Sequence, residues 1–300
     1  MSAEETRSLI AAMRGHAETE RRLADRALLA AASQELLAVS AVSGDARRVH
    51  AEAVAARHNA EALHRLVAEM ARARADRLEA WLSDPCSPAR RPRMLDVVAD
   101  VLGTPSASAI LWFGRDGQWS RLSASDSLAQ AACEAEILTG QGPSTQAWRT
   151  GRSCATAAVD IAARWPLYAH AAPGARAVAA APLGLASGRL GAICAHYLAP
   201  GIGPAAVART NAAAAAVTRL LLHQDNAGSL LARDTDLTIV HQAVGLISVR
   251  ADCDLSDARS LLAARAFAAG VTLAEAAAAV LSGDFRIDPL SAGDSTGSPG

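Results

Sequence analysis

Apolar residues recur at intervals of three and four through the first part of the chain. Leu9, Ile10, Met13, Ala17, Leu23, Ala27 and Leu28 form one run, and Ala56, Ala60, Leu63, Val67, Met70, Leu78 and Trp81 form another. That period marks amphipathic helices. Ser43-Gly44-Asp45 between the runs is a turn signal. Residues 1–83 are therefore expected to fold as a helical hairpin or a coiled coil. Twelve arginines and twelve acids intermix here, which suits solvated helix faces laced by i,i+4 pairs and a spacing or dimerising role. His50, His58 and His64 do not fall at metal-pair spacing and read as surface residues.

The texture changes at Asp84-Pro85-Cys86-Ser87-Pro88, where proline forces its neighbours out of helical angles. Residues 84–93 read as a linker. From 94 to 222 the pattern alternates between helix and strand. Met94–Leu102 is helical, Ser108–Phe113 and Gln118–Ala124 are strands about an Arg115-Asp116-Gly117 turn, and Ser127–Leu138 is helical. Ala177–Leu185 and Arg189–Tyr197 are Gly-flanked apolar strands, and Ala205–Leu222 is a helix of small and apolar residues. The sum predicts an α+β domain, an antiparallel sheet with helices against it. A polar linker, 223–235, leads to three short helices within 236–287. These are Asp236–Val249, Ala258–Ala269 capped by Leu255-Ser256-Asp257 and stopped by Gly270, and Leu273–Leu281 capped by Thr272 and stopped by Gly283. So small a bundle should lean on a neighbour or dimerise. Residues 288–300 read as a disordered tail.

Composition narrows the function classes. All 29 basic residues are arginine, and the net charge of −1 rules out a global polycation. Cys86, Cys133, Cys154, Cys194 and Cys253 are scattered without metal-type spacing, which favours reduced thiols in a cytoplasmic protein and predicts no metal site. The acidic start, Met1-Ser2-Ala3-Glu4-Glu5, is unlike a signal peptide. The longest uncharged run, Leu190–Ala208, is broken by glycines and prolines, so no membrane helix is expected. Phosphate-loop, Gly-x-Ser-x-Gly and HExxH motifs do not occur, and no enzyme activity is predicted.

His241-Gln242-Ala243-Val244-Gly245-Leu246-Ile247-Ser248-Val249-Arg250, then Leu255-Ser256-x-Ala258, Leu262, Ala266-Phe267-Ala268 and Leu273-x-x-Ala276-Ala277 with Val280, resemble the ANTAR domain, an RNA-binding module of bacterial antiterminators. Gly142-Pro143-x-x-x-Ala147-Trp148-Arg149-Thr150-Gly151-Arg152, Trp165-Pro166-Leu167-Tyr168, Arg176-Ala177-Val178, Pro182-Leu183 and Arg189-Leu190-Gly191-Ala192 resemble the GAF sensor domain. Together the two resemblances span about two-thirds of the chain, and residues 1–83 match no known pattern. Ser144 and Gln146 stand where relatives usually have Cys and Asp, and Val244 and Ala263 where basic residues are common.

The resemblance implies a signal-responsive, homodimeric antitermination regulator. Its GAF-like domain would sense a small molecule of unknown identity, and its ANTAR-like bundle would bind paired hairpins in nascent mRNA. The Ala205–Leu222 helix would carry the change between them. Candidate RNA contacts are Gln242, able to read a base edge, with Arg250, Arg259 and Arg265 for phosphate. Ala243, Gly245, Ala258 and Ala266 are read as close-packing positions, and Phe267 as core. Trp112, Trp148, Trp165 and His196, with Trp119 and Tyr168, are candidates for lining a sensor pocket; no specific cofactor is expected. Residues 226–290 carry five arginines against eight acids, a balance that favours an alternative in which the bundle makes protein contacts without RNA. Two further rivals are a DNA-binding helix-turn-helix and a GAF-type reductase of free methionine sulfoxide using Cys133, Cys154 and Cys194.

Overall fold

The computed structural model describes residues 2–84, 91–113, 118–171, 174–185, 188–223 and 237–283. The expected linkers at 84–93 and 223–235, the Arg115-Asp116-Gly117 turn and the 288–300 tail lie largely or wholly outside these residues.

The N-terminal segment is a hairpin of two long helices, α1 (Ala3–Ser40) and α2 (Gly44–Ser83). Ser2 opens α1 with a capping box closed by Glu5, and the Ser43 hydroxyl caps α2. The buried positions of α1 are Thr6, Ile10, Met13, Ala17, Glu20, Ala24, Ala27 and Ala31, spaced alternately four and three, which is a heptad seam. Arg14 of α1 is tied across to Asp76 and Glu79 of α2. Beyond Ala31 the hairpin runs into solvent, with Leu36, Leu37 and Val39 exposed.

Next come α3 (Met94–Leu102), β1 (Ser106–Phe113), β2 (Gln118–Ala124), α4 (Ser127–Thr139), α5 (Pro143–Thr150), β3 (Cys154–Ala157), α6 (Ala158–Arg164), α7 (Pro166–Ala171), β4 (Ala177–Leu185), β5 (Gly188–Tyr197) and α8 (Pro204–His223). The five strands form one antiparallel sheet in the order β2-β1-β5-β4-β3. The expected strands and helices of this region all occur, within two residues of the expected ends. The sequence pattern did not announce α5, β3, α6 and α7.

Both sheet faces are covered, and successive strand residues divide between them. Ala107, Ala109, Leu111, Ala181, Leu183, Ile193 and Ala195 share a core with α3, α8 and the hairpin. Ile110, Trp112, Val178, Ala180, Ala192 and Cys194 point the other way and share a core with residues of α4, α5 and α7. Among the described residues no single helix is long and apolar enough to cross a membrane.

Three helices close the described chain: α9 (Leu237–Ala251), α10 (Leu255–Ala269) and α11 (Leu273–Ser282). α10 begins one turn earlier than expected. Its cap is Asp254, whose carboxylate accepts from the Asp257 amide at 2.8 Å, not Leu255-Ser256-Asp257. The bundle does lean on a neighbour: its buried side chains join the core on the α4 side of the sheet, and α10 packs on α4.

The hairpin is keyed to the sheet domain by one buried carboxylate. Glu20 of α1 is wholly buried and accepts both Arg219 Nε of α8, at 2.9 Å, and His64 Nδ1 of α2, at 2.7 Å. His64 is thus a half-buried partner of Glu20 and not a free surface residue. Burial alone would raise the Glu20 carboxyl; the hydrogen bonds from Arg219 and His64 outweigh it and hold the pKa below 4.5. Glu20→Gln is expected to lower unfolding stability at pH 7 by about 3 kcal/mol, measured by urea titration. Because the folded pKa is depressed, the wild-type advantage is present above the ordinary carboxylate value and disappears as pH falls through the folded one.

Candidate functional site

The three C-terminal helices bury a small-residue seam. Val240, Ala243, Val244 and Ile247 of α9 meet Ala258, Leu262 and Ala266 of α10 and Ala276, Ala277 and Val280 of α11. Ala243, Ala258 and Ala266 are fully buried, as close-packing positions should be. Gly245 is not one of them: a Cβ built on it would meet no atom within 4 Å. It is half-buried on α9 near exposed Gln242 and Val249, and nothing among the described residues requires a glycine there.

The four candidate RNA contacts do not gather on one face. Gln242, Arg250 and Arg265 are exposed, while Arg259 is half-buried. Burial holds the Arg259 guanidinium below its ordinary value, and its charge adds to the burial that lowers His241 on α9. Arg259 and Arg265, six residues apart, point about 120° from each other around α10. Arg250 is followed by Asp252, Asp254 and Asp257, all exposed at the α9–α10 corner. Among the described bundle residues, three arginines stand against four carboxylates. The outer face of α9 consequently carries one charge, Arg250, beside Gln242 and exposed Val249, and is not a basic patch.

Phe267, expected in the core, stands 36% exposed at the edge of α10. The buried stripe of α10 runs through Ala258, Leu262 and Ala266, and position 267 lies beside it, facing α4 and α7. Its ring approaches His170 of α7, centroid to centroid 6.1 Å.

The second candidate site is the polar interior beneath the sheet. α4 carries Glu136, whose carboxylate accepts the Ser144 and Thr145 amides of α5 at 3.1 and 2.8 Å. These are orphan amides of a helix N-terminus, so the acid caps α5 from outside. Gly142 makes the approach possible. It adopts φ 148°, and a Cβ there would lie 2.3 Å from Glu136 Cγ. Burial pushes the Glu136 carboxyl up to about 7 despite those amides. Tyr168 Oη is buried in this same layer with no hydrogen-bond partner among the described residues, while the Ser144 side chain joins the Ser144 and Thr145 amides in opposing the rise at Glu136. An acid balanced near neutrality beside an unsatisfied hydroxyl can hydrogen-bond a small polar guest.

The expected pocket residues occupy that layer but pair off within it. Trp112 stacks on Trp148 with centroids 4.8 Å apart, and Trp165 meets Tyr168 edge-on at 6.2 Å. His196 Nε2 bonds Ser108 Oγ at 2.9 Å, and burial lowers the imidazole to about 4, so it is neutral. The Trp119 side chain lies outside what is described. Sequence reasoning missed the roles of Glu136 and Ser144; the only signal was the second of two acids on an alanine-rich helix shortly before Gly-Pro.

Cys154 on β3 and Cys194 on β5 both register with Ala180 of the intervening β4. They are therefore two strand spacings apart, about 9.5 Å, beyond disulfide reach. Burial raises the Cys154 thiol to about 11 and raises the Cys194 thiol as well, which opposes thiolate chemistry. Among the described residues no three His, Cys, Asp or Glu side chains gather to hold a metal.

Glu136→Gln should change the pH dependence of stability. With its folded pKa above the unfolded value, Glu136 makes the wild type less stable as pH rises from about 4.5 to 7, by roughly 1.4 kcal/mol per unit. Urea midpoints at pH 5 and 7.5 should converge in the variant relative to wild type. No family model, curated protein or solved structure matches this chain.

Proposed function

We propose that the protein is a signal-responsive transcription antitermination regulator. In this reading the sheet domain is a GAF-like sensor and the C-terminal bundle an ANTAR-like module for paired hairpins in nascent mRNA, working as a homodimer. The observation that carries it is the outer face of α9. Gln242 and Arg250 stand in solvent there, and Gly245 between them has open space above it. A glycine inside an exposed helix costs about 1 kcal/mol relative to alanine. Its presence where this chain makes no use of it is explained by close approach of a partner backbone. The sheet order and the resemblance quoted for residues 142–192 support the sensor half, and the polar groups buried around Glu136 support a small-molecule signal read there.

Coupling in this scheme runs through α4, on which α10 packs, rather than through α8. α8 lies on the hairpin side of the sheet, where Arg219 meets Glu20.

The acid-leaning balance of the bundle favours a second reading, in which the same α9 face binds a protein and no RNA. The two separate in one titration of the full chain with RNA bearing two adjacent hairpin loops, against a scrambled control. The antitermination reading expects preference for the looped RNA, weakening with salt. Arg250→Ala and Arg265→Ala should each weaken binding and lower the salt slope by about one. Equal binding of both RNAs by monomer and dimer would sink it and leave the protein-contact reading. Gly245→Ala should raise the stability of the free protein by about 0.5–1 kcal/mol, read by thermal melting, while weakening partner binding.

A further inference from the structure

A cavity of about 340 Å³ lies where the bundle leans on the sheet domain, within the size range of small-molecule sites. Its walls come from α4, α7, α10 and α11, so it belongs to neither unit alone. Leu138 and Val271 give it apolar surface, and Phe267 with His170 gives it rings. Two carboxylates, Glu134 of α4 and Glu275 of α11, enter it from opposite walls.

Neither acid is paired with an arginine among the described residues. Glu134 accepts from Gln130 through Oε1 only, at 3.1 Å. Glu275, exposed at the mouth of the cavity, uses Oε2 for the amide and hydroxyl of Thr272, at 2.8 and 2.9 Å, and those bonds hold its carboxyl below the ordinary value. Each acid keeps its other oxygen outside any described hydrogen bond. In a chain with 29 arginines, none is among the described residues lining this cavity. Burial raises the Glu134 carboxyl, and the charge of Glu275 adds to the rise. A cation between the acids would relieve both effects, and an aromatic face beside it would favour the same charge.

We infer that this cavity is a binding site for a small organic cation, an ammonium or guanidinium on a short apolar body. The geometry assigns the charged head to Glu134 and Glu275 and the body to Phe267, Leu138 and Val271. Such a ligand touches α4 and both helices of the α10–α11 corner at once, and so strengthens docking of the bundle on the sheet domain. The site is distinct from the interior around Glu136.

The test is calorimetric titration of the full chain with agmatine and choline, using succinate as the anionic control and no RNA. Agmatine is expected to bind and succinate not to, with affinity falling as salt rises. Glu134→Gln should weaken agmatine about tenfold. Phe267→Ala, at an exposed position, should weaken it about fivefold. Glu275→Gln keeps the helix cap, since glutamine serves in a capping box, yet should also weaken binding. This variant decides the matter if Glu134→Gln does not fold. Agmatine and choline binding no tighter than succinate, or Glu275→Gln and Phe267→Ala binding agmatine as wild type does, would overturn the assignment. The outcome is independent of whether the bundle binds RNA.

Discussion

The fold depends on covering both faces of a sheet built from small side chains. Stretches such as Ala177-Val178-Ala179-Ala180-Ala181 leave little apolar area per residue. Stabilisation scales with area removed from water, so such a sheet needs close and complete coverage. Alanine permits close approach, and both faces are used. One is sealed by α3, α8 and the base of the hairpin, the other by α4, α5 and α7. Each covering layer then acquires its own dependent. The hairpin is fixed to the first through Glu20 and Arg219, and the bundle rests on the second through α4 and α10.

The elements that could be read from sequence were those with a strong period or a clean boundary. The hairpin, the paired strands and the terminal helices follow from three-four spacing, Gly-flanked apolar runs and Thr272 or Asp-type caps. Between residues 143 and 171 the helices are eight, seven and six residues long, too short for a period to emerge. Side-chain roles were harder, because they are settled by partners far along the chain. His64 looked like a surface residue because Glu20, its partner, lies 44 positions away. Gly245 looked like a packing glycine because it sits among alanines that do pack. Phe267 looked like core, yet the buried stripe passes through its smaller neighbours.

The polar interior beneath the sheet was the least legible part. Tryptophans suggested a pocket, but stacked aromatics satisfy one another and need no guest. Among the described residues Tyr168 Oη and His196 Nδ1 are left without a partner in that layer, where an acid caps a helix. A carboxylate eight residues before an amide reads as nothing in one dimension. It acquires meaning only when Gly142, at a φ closed to side chains, turns α5 back onto α4.

That turn leaves α4 in contact with both the sheet domain's interior and the bundle. Glu134 and Glu136 lie two residues apart, about 200° around one helix, and so face opposite ways. Glu136 looks inward to the N-terminus of α5, and Glu134 outward to the bundle. Both carboxyls are raised by burial, so each is sensitive to the charge or proton its own side supplies. A rigid helix cannot shift one without moving the other. A guest that altered the Glu136–α5 contact would therefore displace the wall against which α10 and α11 dock, with no need for a signal through the α8 connection. The coupling would be reciprocal: whatever tightens the bundle on α4 must alter binding in the interior by the same factor.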